Sequence, residues 1–236
     1  MKGSEPASSF VIDRIGRPRS LASLAADQIR ELIVTDRLKL GQQLSEASLA
    51  EQLGISRTPV RDALLRLQAE RLVDVQPQQG SYVFRYDAQQ LHCILELREL
   101  LEVGALRVAL KADAARTLAN LESEIDQGAA TMREGAEAYQ SADTAFHGAI
   151  MAASRNPELI DAYSRIVGRV RAIRFRAIRK NARFTTSQKD HAAIVTAIKT
   201  GDHQGAAQIL ARHVYNSYFG YLEDLGQPAG AEHPPI

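Results

Sequence analysis

The feature that most constrains the fold is how little of the sequence has strand character. Apolar residues recur every three or four positions along almost the whole chain, which is the spacing of amphipathic helices. Two short β-branched and aromatic runs, Leu72–Val75 and Ser81–Phe84, stand apart, separated by a segment that ends in Gly80. Such runs on either side of a glycine-bearing turn predict a β-hairpin. We therefore expect a mainly α protein in which this hairpin is the only sheet.

Three helices are predicted ahead of the hairpin. They span about residues 21–35, 45–53 and 56–70, and each follows the period of an amphipathic helix. Gly54 is suited to end the second helix, and Ser56 is a good N-cap for the third. Three helices followed by a hairpin form a winged helix-turn-helix, whose third helix enters the major groove of DNA.

The candidate DNA contacts lie on that third helix and on the hairpin. The apolar stripe of the helix turns its polar residues outward, and an arginine near a helix start can donate to a guanine edge or to a phosphate. A glycine at the hairpin tip allows close approach to the DNA backbone. A solvated arginine or a simple turn glycine would explain each residue singly, so the prediction depends on the set. The predicted DNA-binding residues are Arg57, Thr58, Arg61 and Gly80.

The rest of the chain is predicted to be helical. Six helices are expected, over residues 88–114, 117–135, 138–154, 156–181, 184–200 and 202–225. A chain of 236 residues is long enough for two cores. We predict a winged helix-turn-helix at 20–86, with three helices and a β-hairpin wing, and an all-α helical bundle at 88–226. A flexible N-terminal arm at 1–19 and a flexible tail at 227–236 flank them.

Composition narrows the class of protein. Hydrophobic residues make up 45% and charged residues 24%, which is ordinary for a globular chain and argues against wholesale disorder. The net charge of +1 is too small to identify nucleic-acid binding, so that prediction depends on the motif. No segment resembles a signal peptide or a membrane span, and the single cysteine, Cys93, suits a reducing compartment. We expect a cytoplasmic protein without a membrane partner.

Four polar residues lie on otherwise apolar faces of the predicted bundle helices. Asp143 and His147 are four residues apart and share one helix face, while His191 and His213 each lie on the apolar stripe of a later helix. Burial without partners costs about 1–3 kcal/mol per group, so these residues need one another or an ion. A satisfied core histidine would explain one of them alone. The four together favour a divalent metal, with zinc first and nickel or manganese as alternatives.

Two stretches of the sequence resemble known families. Residues 49–64, LAEQLGISRTPVRDAL, resemble the signature of the GntR superfamily of bacterial regulators, and the similarity spans about residues 20–84. Arg71 departs from the pattern, because that family often has glycine there. Residues 88–225 resemble the metal-dependent FCD-type ligand-binding domains of the FadR subgroup, which carry Asp-x-x-x-His on one helix and a histidine on each of two later helices. The resemblance implies a metal bound by Asp143, His147, His191 and His213, with positions open to water or to a carboxylate.

Two arginines are candidate effector contacts. Arg98 and Glu102 interrupt the apolar stripe of the first bundle helix, either as an internal ion pair or with Arg98 placed to clamp an acid, as an arginine does in related sugar-acid sensors. Arg174 adjoins the inward face of the helix at 156–181. We therefore assign Arg98 and Arg174 to effector binding, and we predict no catalytic residue.

Together these features predict a ligand-responsive DNA-binding transcriptional regulator. We expect a homodimeric repressor whose metal anchors a small organic acid and which binds a palindromic double-stranded operator. Two alternatives remain open: a regulator that senses the metal ion itself, and a metal-dependent hydrolase fused to a DNA-binding head. The hydrolase would need a general acid or base beside the metal, for which the sequence offers Glu102.

Overall fold

The structure, a computed structural model, describes residues 19–131, 135–181 and 184–224. The predicted tail and all of the predicted arm except Arg19 lie outside these residues. Within them the chain forms the following elements: α1 Leu21–Val34, β1 Gln43–Leu44, α2 Glu46–Leu53, α3 Arg57–Ala69, β2 Val73–Gln76, β3 Gly80–Val83, α4 Ala88–Thr131, α5 Ala136–Ala153, α6 Pro157–Asn181, α7 Phe184–Lys199 and α8 His203–Asp224. This architecture, three helices and a small sheet followed by a helical bundle, confirms the predicted fold class.

Local sequence explains the turn between α2 and α3. The Ser45 side chain accepts a hydrogen bond from the backbone N–H of Ser48 and caps α2. Gly54 ends α2 with a φ of 66°, in the left-handed region that glycine adopts without strain. Ser56 precedes α3 as its N-cap residue, but its side chain makes no capping hydrogen bond. The predicted positions of Gly54 at the end of α2 and of Ser56 before α3 are therefore confirmed, although of the two serines only Ser45 caps through its side chain.

The sheet has one strand more than the sequence predicts. β2 and β3 form the expected antiparallel hairpin, with Val73 opposite Val83. β1 pairs antiparallel with the other edge of β3, with Gln43 opposite Tyr82, which gives the strand order β1-β3-β2. The prediction that the hairpin is the only sheet was wrong, because β1 adds a third strand to the hairpin. Two residues are too short to display an alternating pattern, so only the pairing with β3 identifies them as a strand.

The first bundle element, α4, contains a break close to the predicted one. It runs from Ala88 to Thr131 as two helical segments that meet at a kink, where Asp113 leaves the helical conformation. The predicted division into helices at 88–114 and 117–135 therefore matches this break within a few residues, while residues 132–134 lie outside the described part of the chain. With α4 counted as one kinked element, the described bundle has five helices. None of the described helices is both long enough and apolar enough to cross a membrane.

Two apolar cores lie along the molecule, and α6 contributes to both. The first core combines α1, α2 and α3 with the sheet and with the start of α4, and it includes Val170 and Ile173 of α6. The second core lies within the bundle and includes Ile166 and Tyr163, about one and two turns before Val170 on the same helix. The helix α6 thus packs against the winged helix-turn-helix through one segment and against the bundle interior through another.

Candidate metal centre

Four side chains from three helices meet in the interior of the bundle. Asp143 and His147 project from α5, His191 from α7 and His213 from α8. One donor atom from each residue lies within 4.8 Å of those of the other three. All four side chains are buried, with at most 4% exposure. The structure therefore brings together the four residues that the sequence nominates as metal ligands.

The spacing of the donor atoms fits a metal ion. The Nε2 atoms of His147 and His213 are 3.3 Å apart, whereas two nitrogens bound to one zinc ion at about 2.1 Å can be at most about 4.2 Å apart. The Nε2 atom of His191 is buried, lies 3.8 Å from Asp143 Oδ1 and has no hydrogen-bond partner among the described residues. A buried, unpartnered ring nitrogen is costly, and a metal bond would satisfy it.

Burial keeps the three imidazoles in the form that binds metals. It lowers the pKa of His213 to about 4, although the hydrogen bond with Asp190 opposes the shift. Burial also places the pKa of His191 well below its usual value. For His147 burial lowers the pKa and the neighbouring Glu102 carboxylate opposes it. Neutral imidazole offers a lone pair to a cation, so the site needs no deprotonation at neutral pH.

Two carboxylates lie behind the histidines and orient their rings. Glu102 Oε2 is 2.9 Å from Nδ1 of His147, and Asp190 Oδ2 is 3.2 Å from Nδ1 of His213. A carboxylate on one ring nitrogen directs the other nitrogen toward a metal and makes it a stronger donor. The sequence analysis missed Asp190. It precedes His191, and consecutive helical residues point about 100° apart, so the apolar period did not place both at the site.

The two predicted effector arginines reach the cluster. Arg98 donates from Nε to Glu102 Oε1 at 2.7 Å, and its Nη2 lies 3.0 Å from His147 Nε2. Arg98 therefore forms the internal ion pair and also lies beside His147, while its role in clamping an acid stays a prediction. Arg174 of α6 forms an ion pair with Asp143. Both guanidinium groups are buried, and buried cations of this kind suit the recognition of an anion.

Glu102 is held by three partners. Besides Arg98 and His147, the Tyr163 hydroxyl donates to Oε1 at 2.9 Å. Burial by itself would raise the pKa of Glu102, but the Arg98 charge and the side-chain interactions with His147 and Arg98 hold that pKa well below the usual range. A carboxylate that is so weakly basic and so fully engaged is suited to positioning His147. It is poorly suited to the general-base role that a hydrolase would require.

The predicted DNA-binding residues lie on the surface of the first three helices and the sheet. Arg57, Thr58 and Arg61 are exposed at the start of α3, and Gly80 is exposed at the hairpin tip with a φ of 111°. Arg61 donates two hydrogen bonds to Glu46 of α2, at 3.1 and 2.8 Å, while its side chain stays 66% exposed. The ion pair orients this guanidinium across the helix-turn-helix without burying it.

Both segments of the chain match protein families. Residues 21–83 match the bacterial regulatory proteins of the gntR family, and residues 93–216 match the FCD domain. A Paenarthrobacter nicotinovorans protein named as a transcriptional repressor of a D-xylose utilization operon is 30% identical over 209 residues, covering 83% of this chain and 88% of that protein. The transcriptional regulator LutR of Bacillus subtilis is 28% identical over 218 residues, covering 82% and 99%.

Solved structures share the fold. McbR/YncC of E. coli aligns with a TM-score of 0.76 at 24% identity, over 88% of this chain and 100% of that one. A GntR regulator from Rhodococcus sp. RHA1 aligns with a TM-score of 0.75 at 19% identity, over 86% and 97%. A Zn²⁺-bound FCD domain of another transcriptional regulator aligns with a TM-score of 0.50 at 25% identity, over 60% of this chain and 97% of that domain.

Proposed function

This chain belongs to the gntR family of bacterial regulatory proteins and carries an FCD domain, and we propose that a divalent metal in that domain anchors a small organic acid as its signal. The family makes it a ligand-responsive DNA-binding transcriptional regulator. The proposal rests on one observation above all, the buried cluster of one carboxylate and three neutral imidazoles.

The donor set favours zinc, with nickel or manganese as alternatives. Asp143, His147, His191 and His213 would hold the ion, and Glu102 and Asp190 would keep two of the rings oriented. When bound, the ion supplies coordination positions that a carboxylate can occupy. The relatives are named as transcriptional regulators. The ion pairs and hydrogen bonds that engage Glu102 support the proposal that this site binds an acid without transforming it.

The charges around the cluster support an anionic effector. Arg98 and Arg174 contribute two positive charges, and three carboxylates contribute three negative ones. A divalent cation would turn this excess negative charge into a single positive charge. A buried charge is costly unless it is neutralised, so a monocarboxylate between the ion and the two guanidinium groups would complete the site.

We propose that the two domains have the separate binding roles that the sequence predicts. Residues 20–86 would bind operator DNA through Arg57, Thr58, Arg61 and Gly80, and residues 88–226 would bind the metal and the acid. A homodimer would present two such heads to a palindromic operator, and repression is the expected sign of regulation. We also propose that the protein acts in the cytoplasm, where its operator DNA would lie.

Metal analysis of the purified chain tests the site first. We expect near-stoichiometric metal by mass spectrometry in the wild type, and its loss in Asp143→Ala and His213→Ala. His203→Ala is a matched control, because His203 is an exposed histidine on the same helix as His213. No metal in the wild type, even after reloading with zinc, nickel or manganese, would refute the metal centre.

A screen of small carboxylates by thermal shift tests the effector. L-lactate belongs in it, because a relative from Escherichia coli, 28% identical over 218 residues, is named for regulating an L-lactate dehydrogenase operon. We expect an acid that stabilises the metal-loaded wild type, fails to stabilise Asp143→Ala, and changes operator affinity. Operator affinity that responds to the metal alone would instead assign the signal to the metal ion.

A further inference from the structure

A cleft of about 950 Å³ lies where the winged helix-turn-helix meets the helical bundle. It is lined by residues of β2 and β3, by the start of α4 and by Arg169 of α6, and we call it the junction cleft. Its volume lies within the range of small-molecule sites, about 300–1,000 Å³. None of the four candidate metal ligands lines it, so it is separate from the candidate metal centre.

The junction cleft carries more positive than negative charge. Among the described residues that line it, the charged ones are Arg71, Arg85 and Arg169 and a single acid, Asp74. None of the three arginines has an ion-pair partner within residues 19–131, 135–181 and 184–224. Asp74 instead accepts a hydrogen bond from the Gln76 side chain at 2.9 Å. An excess of two positive charges is left over, which suits a dianion.

Arg169 is the least exposed of these arginines. Its Nε atom is shielded from solvent and has no hydrogen-bond partner in the part of the chain that the structure describes. Burial lowers the pKa of Arg169, and the positive charge of Arg71 lowers it further, which shows that the two guanidinium groups lie near each other. A buried, unpartnered N–H costs free energy, and neighbouring like charges repel. An anion between the two arginines would reduce both costs.

Close packing of the two domains places these arginines side by side. Gly168 and Leu72, the chain neighbours of Arg169 and Arg71, lie against each other, and a Cβ atom added at Gly168 would be 2.8 Å from Leu72 Cδ1. Leu72 is fully buried. The absence of a side chain at Gly168 is what lets α6 approach the start of the sheet so closely. Packing of the backbone therefore holds two cations together that would otherwise separate.

The backbone at Arg71 is strained. Its φ is 55°, in the left-handed region, which glycine adopts freely and a residue with a Cβ atom does not. Its guanidinium forms no ion pair or hydrogen bond with any residue that the structure describes. Strained residues of this kind cluster at ligand-binding sites, where a function of the side chain offsets the strain. A ligand of Arg71 would explain why an arginine stands at this position.

We propose that the junction cleft binds a small phosphate monoester, with Arg71 and Arg169 holding its phosphate group. A phosphate monoester carries close to two negative charges at neutral pH and three acceptor oxygens, which match the excess positive charge. Guanidinium groups donate paired hydrogen bonds to phosphate. Gln68, Gln89 and Tyr82 also line the cleft and offer polar groups to the rest of the ligand.

The position of the two arginines gives the ligand a role at the domain junction. Arg71 belongs to the winged helix-turn-helix, and Arg169 belongs to the bundle. A phosphate between them would replace repulsion across the junction with attraction and would stabilise the packing of the two domains. Arg71 follows the end of α3, about 20 Å along that helix from Arg57, so these two arginines lie far from the predicted DNA contacts at its start.

Binding of small phosphates to the full-length chain tests the site. The probes are inorganic phosphate and glycerol 3-phosphate, followed by titration calorimetry at constant ionic strength, with glycerol as the uncharged comparison. We expect one saturable site per chain for both phosphates and none for glycerol. Arg169→Gln should weaken phosphate binding at least tenfold. Arg165→Gln, at an exposed arginine one turn earlier on α6, is the matched control and should bind as the wild type does.

Arg71→Gly distinguishes a binding role from a structural one. Glycine relieves the left-handed strain, so the thermal midpoint should stay unchanged or rise, while phosphate binding should weaken at least tenfold. Arg155→Gly is the matched control, because Arg155 is also exposed, has a φ of 50° and does not line the cleft. This control should keep its phosphate affinity.

The proposal is overturned if neither phosphate binds the wild type saturably, or if both cleft variants bind as tightly as the wild type. Succinate that binds this site more tightly than glycerol 3-phosphate would overturn the choice of a phosphate. Asp143→Ala separates the cleft from the metal centre. Phosphate binding retained in that variant supports the cleft even if no metal or acid effector is found, whereas binding that needs Asp143 but not Arg71 belongs to the metal centre and overturns the proposal.

Discussion

At the scale of single residues, the candidate metal centre includes groups that would not themselves contact an ion. Asp190 accepts from His213 at 3.2 Å, and Glu102 lies 2.9 Å from His147. Each carboxylate engages Nδ1 of its histidine, so Nε2 is the ring nitrogen that points into the cluster. We therefore expect the affinity of the site for metal to depend partly on residues behind the ligands.

Removing the charge behind His213 should weaken the site without abolishing it. We expect Asp190→Asn to lower metal affinity by about 10- to 100-fold, because the ring loses the carboxylate that orients it and makes it a stronger donor. Competition with a chromogenic chelator measures the change. Asp161→Asn, at an exposed acid paired with Arg165, should leave the affinity unchanged. Equal affinities in wild type and Asp190→Asn would show that the carboxylate has no part in binding.

Substituting Arg98 should weaken binding of the acid without reducing the metal content. Arg98→Lys keeps the charge but loses the planar fork that binds a carboxylate through two hydrogen bonds, so the acid should bind about 10-fold or more weakly. Metal content should remain stoichiometric. Titration calorimetry with the acid found by screening gives the affinity, and Arg165→Lys, on the surface of α6, is the control. An unchanged affinity for the acid would remove Arg98 from the effector site.

At the scale of elements, the helix-turn-helix depends on the conformation of one glycine. Gly54 ends α2 with a φ of 66°, and no atom lies within 4 Å of the Cβ position there. Gly148 also has open space, but it lies inside the helix α5. The two positions therefore differ in backbone conformation and not in crowding.

The same substitution should have opposite effects at these two glycines. Gly54→Ala should destabilise the protein by about 1 kcal/mol, since a side chain disfavours the left-handed region. Gly148→Ala should stabilise it by about 0.5–1 kcal/mol, because alanine is the better helix former. Chemical denaturation measures both free energies of unfolding. Destabilisation of similar size in both variants would mean that crowding, and not the φ angle, decides the result.

Element boundaries show what periodicity can and cannot predict. The predicted helices over 21–35, 45–53 and 56–70 match α1, α2 and α3 within one residue at each end. The predicted division near residue 114 coincides with the kink at Asp113, where the chain leaves the helical conformation between two helical segments. β1 was missed because its two residues carry no pattern of their own, and only their pairing with β3 makes them a strand.

At the scale of the whole molecule, α6 connects the cluster to the DNA-binding domain. Arg174 of α6 pairs with Asp143, whereas Arg171 donates to Glu31 of α1 and Arg176 pairs with Asp36 just after α1. Where the helix passes Leu72, Gly168 would bring an added Cβ within 2.8 Å of that side chain. If an acid bound at Arg174 shifted α6, the contacts of α6 with Glu31 and Asp36 would therefore shift as well.

Removing the ion pair between Arg176 and Asp36 should reduce the effect of acid binding on operator binding. The acid should still bind to its own site. Arg176→Ala removes an ion pair in which both side chains are only 14% exposed. We expect the acid-dependent change in operator affinity to shrink at least threefold, with unchanged acid affinity in the absence of DNA. By linkage, the acid should then bind free and DNA-bound protein more equally. Fluorescence anisotropy on operator DNA measures this, with Arg165→Ala as the control. If the acid still changes the operator affinity of Arg176→Ala as much as that of the wild type, the ion pair between Arg176 and Asp36 does not transmit the signal.

The sequence by itself determined the helices, the turn glycine, the hairpin and the four candidate metal donors. The helices, the glycine, the hairpin and the Asp143–His147 pair are local patterns, whereas His191 and His213 were grouped with that pair because each interrupts an apolar stripe and because the chain resembles the FCD-type domains. An apolar period, a capping residue or an Asp-x-x-x-His pair is complete within one or two helical turns, so it can be recognised without knowing what lies opposite.

Only the tertiary structure decided how the donors are supported. It placed Asp190 behind His213, made Glu102 a partner of His147, brought Arg174 to Asp143 and shared α6 between two cores. These contacts join residues 23 to 45 positions apart in the chain, and their geometry follows from how whole helices pack. No periodicity encodes which side chains from separate helices will meet, so packing alone could reveal them.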